Sequence, residues 1–371
     1  MRLGLLSTYV DENAFAILCK QGKASNPSNQ NFYGRFCRSL QNVGDVHLFS
    51  MSFETLKDNA PSKKFHYFLP SRSKLGRLAD AKKIAKEVIA FHRKNPLDAL
   101  FYDSLNLTLS KAASIIVKTS DLRVIAVVTD SPKNISFAPW YYSTLCLRNS
   151  RNASGYFCLT KELNVLFNPK KKPSYIQMGI VDEDDAQKEA KQNKPYIYYG
   201  GALFEKDGVG DLLRAYQDIS PNFDIIISGH GPMEEELRQK NVKSLHFLGQ
   251  ISKEEHLALI KNAILVINPR RYNESLDVVS VPSKVLEYIA LAPSVLSSLS
   301  TSIHDTFPDD INWLPTGGNN QENIKQFFLD HLDESGNFVH LKPNNAQSKI
   351  ISILGVTQTG LALSDFIASI K

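Results

Sequence analysis

The segment "VPSKVLEYIA" sets three chemically capable residues at the mouth of one apolar helix: Ser283, Lys284 and Glu287. Ser283 and Glu287 stand four residues apart and share a helix face. Lys284 falls in the first turn, where the helix dipole disfavours a cation. A bound anion would reverse that cost. A merely solvent-exposed lysine would bear it, at roughly a few tenths of a kcal/mol. Just upstream, the buried-strand pattern "AILVINP" ends in Arg270 and Arg271.

Two further strand-to-helix loops have related chemistry. In "YYGGALFEKDGVGDLLRAY", Gly200 and Gly201 would let a phosphate approach backbone N–H groups near a helix start, with Lys206 adding charge. A purely structural glycine turn fits the same residues. In "FDIIISGHGPMEEELRQK", Gly229 would open space for a base or ribose beside His230. His230 can equally be a loop residue, since Pro232 and the three glutamates after it are good helix-start chemistry. Asp130 ends the pattern "VIAVVTD" in a loop that would face a ligand cleft; an Asx turn before Pro132 is the alternative. Asp182-Glu183-Asp184 has DxD spacing but lies in a polar stretch, and reads as a solvated run. The four cysteines form no CxxC, which points to packing roles in a reducing compartment, and no metal site is expected.

The elements that must position these loops alternate between strand and helix along the whole chain. Strand patterns at "RLGLLST", "DVHLFSM", "ALFYDSL", "VIAVVTD" and "GYFCLT" are separated by helical ones near 33–42, 75–94 and 110–120. After a polar stretch over 167–195 the series resumes with "YIYYGG", a helix over 207–219, "FDIIISG", a helix over 232–240, "SLHFLG", a helix over 252–262, "AILVINP", a helix over 283–291 and "SVLSSL". Such alternation predicts parallel α/β sheets, in two tandem doubly wound, Rossmann-like domains. Ligands of these sheets bind beyond the carboxyl ends of the strands, where all the loops above would lie. We place the first domain at residues 1–170 and the second at 190–349, with a helical tail over 350–371 packing back on the first.

Composition agrees: 371 residues, 43% hydrophobic and 22% charged, are enough for two globular cores. No run approaches the roughly 18 apolar residues of a membrane helix. The start "MRLGLLSTYV" reads as a first buried strand, not a signal peptide. Charge is divided unevenly. Residues 1–180 hold 26 basic and 12 acidic side chains, and the remainder holds 17 and 26. A basic half suits nucleic acid, an anionic membrane surface or a phosphorylated substrate. No RRM, KH or helix-turn-helix signature supports nucleic acid.

In order, "IISGHGPMEEEL", "HFLGQISKEEHLALIKNAILVINP" and "SVPSKVLEYIALAPSVLSS", preceded by the Gly-Gly loop with its Glu205-Lys206 pair, resemble the donor-binding half of retaining GT-B glycosyltransferases. The nearest subgroup is the group 1 enzymes of capsule and exopolysaccharide assembly. The resemblance covers about residues 196–300; over 1–165 it rests on the alternating pattern and the first helix. It implies a GT-B fold, with a cleft between the two domains. It implies that Lys206 contacts the donor diphosphate, that Ser283 and Lys284 sit at the phosphates, and that Glu287 holds the ribose hydroxyls. Arg270, with Arg271 able to substitute for a missing contact, would lie near the donor, and Gly200, Gly201 and Gly229 would let backbone pass close to it. Three positions depart from the pattern: Ala202 where an arginine is usual, Val279 where a glutamate is, and Ala292 where a glycine is.

The implied reaction moves a sugar from a nucleoside diphosphate sugar to an acceptor hydroxyl with retention, with no metal and no cofactor. Lys206, Glu287 and Asp130 are the catalytic candidates. The acceptor would be a glycan or lipid-linked molecule in polysaccharide or glycoconjugate assembly. A cytoplasmic setting follows, with the basic first domain resting on the inner face of a membrane. Two other readings stay open: a non-catalytic binding partner with the glycosyltransferase shape, which Ala202 would permit, and a UDP-sugar epimerase of the same fold.

Overall fold

The computed structural model describes residues 1–20, 27–52, 64–135, 138–183, 195–219, 221–239 and 244–370. The chain divides into two compact units. One comprises residues 1–180, 278–280 and 354–371, the other residues 181–277 and 281–353.

The first unit is built on seven strands: β1 (Arg2–Ser7), β2 (Asp45–Met51), β3 (Phe65–Phe68), β4 (Ala99–Asp103), β5 (Val124–Val128), β6 (Gly155–Cys158) and β7 (Ser174–Ile176). Their order is β3-β2-β1-β4-β5-β6-β7, and every pairing is parallel. β4, β5 and β6 are buried along their whole length, as strands covered by helices on both faces must be. The covering helices are α1 (Glu12–Lys20), α2 (Pro27–Gln41), α3 (Lys74–Lys94), α4 (Leu107–Thr119), α5 (Tyr142–Ser150) and α6 (Lys161–Phe167). Ser73, Asn106 and Thr160 cap α3, α4 and α6 by accepting backbone N–H bonds.

The second unit holds β8 (Tyr196–Ala202), β9 (Asp224–His230), β10 (Leu245–Gly249), β11 (Leu265–Asn268), β12 (Val295–Ser298) and β13 (Asn312–Leu314), in the parallel order β10-β9-β8-β11-β12-β13. Its helices are α7 (Val209–Gln217), α8 (Glu234–Gln239), α9 (Lys253–Asn262), α10 (Glu274–Asp277), α11 (Ser283–Leu291), α12 (Thr301–His304), α13 (Asn320–His331) and α14 (Gln347–Leu354). The core gathers Tyr199, Leu212, Tyr216, Ile225, Ile267, Leu296 and Phe328 between sheet and helices. In both sheets the strand order reverses direction once, beside β1/β4 and beside β8/β11. Such reversals open a crevice at the strands' carboxyl ends.

The last helix, α15 (Val356–Ser369), belongs to the first unit and packs on α2. Gly360 permits the close approach: a Cβ there would sit 2.5 Å from the Ser39 carbonyl oxygen. Thr359 Oγ1 accepts from Gln177 Nε2 at 2.8 Å, which ties the helix to the end of β7.

The two doubly wound sheets are those the alternating pattern predicts. Differences are local. The helix expected from 207 begins at Val209, because Gly208 adopts a left-handed φ of 76° and closes a 3-10 turn over Glu205–Asp207 first. β3, β7 and β13 are not among the expected strands, and β7 falls inside the stretch expected to be a polar connection; each is a short edge strand of three or four residues, too brief to show a period. The acidic run at 182–184 is not simply solvated. Asp182 is buried and accepts from Lys253 Nζ at 3.4 Å. Asp184 and the rest of that polar stretch to residue 194 lie outside the described residues.

Candidate functional site

The crevice beside β8 and β11 is built from glycine backbone and the start of α11. Gly201 pairs with Gly229 across β8 and β9, and Ala202 pairs with His230. Gly201 has φ 154° and Gly229 has φ 141°, both in the region that side chains avoid. A Cβ on Gly229 would sit 1.7 Å from the Gly201 carbonyl oxygen. A Cβ on Gly201 would sit 2.9 Å from Lys284 Nζ. These two glycines therefore make room for each other and for a cation.

That cation is Lys284. Its Nζ donates to the Tyr199 hydroxyl at 3.2 Å and lies 4.6 Å from the ring centroid, while Tyr199 donates to the Ala202 carbonyl at 2.6 Å. Among the described residues Lys284 has no carboxylate within ion-pair distance. Burial pushes its pKa down from the usual lysine value to about 8; Asp207 opposes that shift and Arg270 adds to it. An ammonium held this way gains from any anion brought to it. α11 starts at Ser283, which is exposed, and Pro282 precedes it without a side-chain cap.

Glu287 lies one turn further along α11. Its Oε2 is 3.1 Å from His256 Nε2, on α9, and the two side chains are 15% and 23% exposed. Arg270, at the end of β11, is half-buried and makes no hydrogen bond among the described residues. Its charge is felt at both Tyr199 and Lys284. Lys206 is exposed, with its Nζ 5.6 Å from the Phe204 ring centroid. His230 is exposed and pairs with Glu234 at 3.1 Å.

Three expected residues have other occupations. Arg271 binds Asp211 at 2.7 and 2.9 Å and Glu205 at 2.7 Å, so its guanidinium is held by acids instead of standing in for a missing phosphate ligand. Gly200 does not offer its N–H to a ligand. The Tyr288 hydroxyl accepts that N–H at 3.2 Å and donates to the Gly200 carbonyl at 2.8 Å. Asp130 lies in the other unit, where its Oδ1 accepts from Ser131 N at 2.6 Å and Asn134 Nδ2 at 2.7 Å. Both bonds stay within its own loop, and no Asx turn forms, because the residue two positions on is Pro132, which has no N–H.

The acid that holds Arg271 is itself well satisfied. Asp211 also receives Arg214 Nη2 at 2.5 Å and Asn320 Nδ2 at 2.9 Å. Burial would raise its pKa, but hydrogen bonds from Arg271, Asn320 and Arg214 outweigh that and hold it at about 2. Next to this cluster, at the ends of β12 and β13, a cavity of about 330 Å³ is lined by Arg271, Tyr272, Ser298 and the 315–320 loop. Neither Lys284 nor Glu287 reaches it.

Sequence reading missed Tyr199, Asp207, His256 and Asp211. Each meets its partner across a long separation (85 residues for Tyr199 and Lys284, 31 for His256 and Glu287), so no local spacing announces them.

Comparison with known proteins gives the frame. Residues 181–342 match the family Glycosyl transferases group 1. No curated protein sequence matches the chain. Among solved structures, Alr3699/HepE of Anabaena in complex with UDP superposes with a TM-score of 0.66 at 14% identity, over 100% of both chains. Sucrose-phosphate synthase of Thermosynechococcus elongatus gives 0.67 at 14% identity, over 99% of this chain and 98% of the other. UDP-GlcNAc 2-epimerase of Methanocaldococcus jannaschii gives 0.59 at 13% identity, over 99% of each. Residues 181–342 thus match a group 1 glycosyl transferase domain, within a chain that has the GT-B fold.

Proposed function

We propose that the protein transfers a sugar, with retention, from a nucleoside diphosphate sugar to an acceptor hydroxyl in polysaccharide or glycoconjugate assembly. The observation that carries this reading is the ammonium of Lys284, packed against Gly201 at the strand-order reversal with no carboxylate within ion-pair distance among the described residues. A diphosphate seated over Gly201 would supply the missing negative charge. Glu287, one turn along the same helix, is then the acceptor for ribose hydroxyls. The UDP complex of Alr3699/HepE supports a uridine nucleotide as the first donor to test.

In the transfer, the bond from the sugar's anomeric carbon to the diphosphate oxygen breaks, and the acceptor oxygen bonds to the same face of that carbon. The acceptor's proton passes to the departing phosphate oxygen, so no protein nucleophile is required. The residues' work is to stabilise charge that grows on the leaving group. Lys284 is placed for this, with Arg270 beside it. The exposed Lys206 can reach in once a ligand draws it from the Phe204 ring. These cations take the role that a metal has in other transferases, so the reading calls for none.

The acceptor is proposed to be lipid-linked and to lie with the first unit, whose basic surplus suits an anionic membrane surface. At the start of α3, Leu75 and Leu78 are 83% and 45% exposed, flanked by exposed Arg72 and Arg77. Apolar side chains ringed by arginines favour the headgroup region of such a surface. Among the described residues no helix is long and apolar enough to cross a membrane.

Titration calorimetry with UDP tests the donor site. Lys284→Ala and Glu287→Ala should each weaken binding by about tenfold or more, the worth of a hydrogen bond to a charged group. Two variants that bind UDP like the parent would remove the reading.

A further inference from the structure

His256 joins a chain of four polar side chains that ends at the helix α11 carboxylate. Ser228 Oγ lies 2.6 Å from the Tyr198 hydroxyl, which lies 2.7 Å from His256 Nδ1, and His256 Nε2 lies 3.1 Å from Glu287 Oε2. Four elements contribute: β9 gives Ser228, β8 gives Tyr198, α9 gives His256 and α11 gives Glu287. Ser228 and Tyr198 are buried.

The proton order is self-consistent. A neutral imidazole with its proton on Nε2 donates to Glu287 and accepts at Nδ1 from the Tyr198 hydroxyl. The tyrosine oxygen then accepts from Ser228. Burial raises the Tyr198 pKa, so its proton stays on and the donor to Nδ1 is kept. One tautomer is selected, and its outward N–H points at one carboxylate oxygen.

The backbone is shaped around this ring. A Cβ on Gly200 would sit 2.6 Å from both His256 Cε1 and the Tyr198 hydroxyl. Gly200 is therefore the residue that admits the imidazole, a role separate from that of Gly201 beneath Lys284.

We infer that His256 is a positioning residue that fixes the Glu287 carboxylate for the ribose diol of the donor nucleotide. The inference rests on the proposed donor site. A glutamate side chain has three rotatable bonds, and holding it in one rotamer before the ligand arrives removes an ordering cost from binding. The bond from the Nε2–H leaves the carboxylate charged and turned to accept from hydroxyl donors. The effect belongs to the ribose, so it should vanish for a nucleotide that lacks those hydroxyls.

The test compares UDP with 2′,3′-dideoxy-UDP by calorimetry, on the full chain and its variants. The parent should bind UDP about tenfold tighter than the dideoxy compound, as expected for hydrogen bonds to a charged group. His256→Phe keeps the ring but not the donor, and should bring the two affinities within about twofold while leaving dideoxy-UDP affinity unchanged. His256→Gln can still donate to Glu287 and should restore most of the ratio. A His256→Phe protein that is folded and still prefers UDP about tenfold would overturn the inference alone. A parent that does not distinguish the two nucleotides, or binds neither, would overturn the ribose assignment beneath it. If His256→Phe does not fold, Tyr198→Phe removes only the hydroxyl that sets the tautomer. It should lower the ratio, and an unchanged ratio would count against the inference equally.

Discussion

The ammonium of Lys284 donates to the hydroxyl of Tyr199 at 3.2 Å and rests 4.6 Å from the centroid of that ring, close beside the backbone of Gly201. A cation–π contact of this kind contributes about 0.5–2 kcal/mol. It holds the charge in place without cancelling it. This explains how a lysine persists in the first turn of α11, against the helix dipole.

A pH dependence follows from that setting. Lys284 in the free protein titrates at about 8, below an ordinary lysine, because burial disfavours the charged form. Below that value it is protonated and can attract a diphosphate. As pH rises through it the charge is lost. The dissociation constant for UDP should therefore climb between about pH 7.5 and 9. In Lys284→Ala this climb should disappear, and calorimetry across that range would show it.

Gly201→Ala tests the space. The backbone there has φ 154°, and the added Cβ would meet the Lys284 ammonium at 2.9 Å. Backbone strain of this type costs about 1–3 kcal/mol. We expect a lower melting temperature and UDP binding weakened by about tenfold or more, as the ammonium is displaced.

The Asp211–Arg271 pair should behave as structure alone. Arg271→Met should leave UDP affinity within about twofold and lower stability, whereas Arg270→Ala should weaken UDP binding. Asp211 has a folded pKa of about 2, below its unfolded value, so its contribution is present above the unfolded pKa and lost as pH falls through the folded one. The shift corresponds to about 2 kcal/mol. Urea melts between pH 5 and pH 2 should show this loss in the parent and a flatter profile in Asp211→Asn.

Much of this architecture is written in the order of residues. Runs such as Val124–Val128 and Leu265–Asn268 could only be strands buried on both faces, and α11 spans the helix expected over 283–291. Periodicity is a local signal, and it reported the local structure. Glu287 and Lys284 could be singled out because a carboxylate and a misplaced cation are visible within one helix turn. The roles of Arg270 and Arg271 were not separable, since adjacent residues at a strand end point apart and only the fold decides which meets Asp211. Gly200 and Gly201 were indistinguishable for the same reason. One faces His256 and the other Lys284. His256 is one polar position among several on α9, and only the fold brings Tyr198 to it.

Membrane attachment has its own test. Sedimentation with vesicles containing phosphatidylglycerol should carry the protein down at low salt and release it as salt rises, because the basic residues act through screened charge. Leu75→Ser with Leu78→Ser should lower the bound fraction at low salt. Equal binding to neutral vesicles, or none to anionic ones, would end the membrane assignment.

The most direct test of the central claim is a hydrolysis screen of nucleotide sugars, read as release of nucleoside diphosphate. The account predicts slow, enzyme-dependent release from one or a few donors, UDP-sugars first, that is abolished in Lys284→Ala. No release from any donor, or release that survives that substitution unchanged, would contradict it.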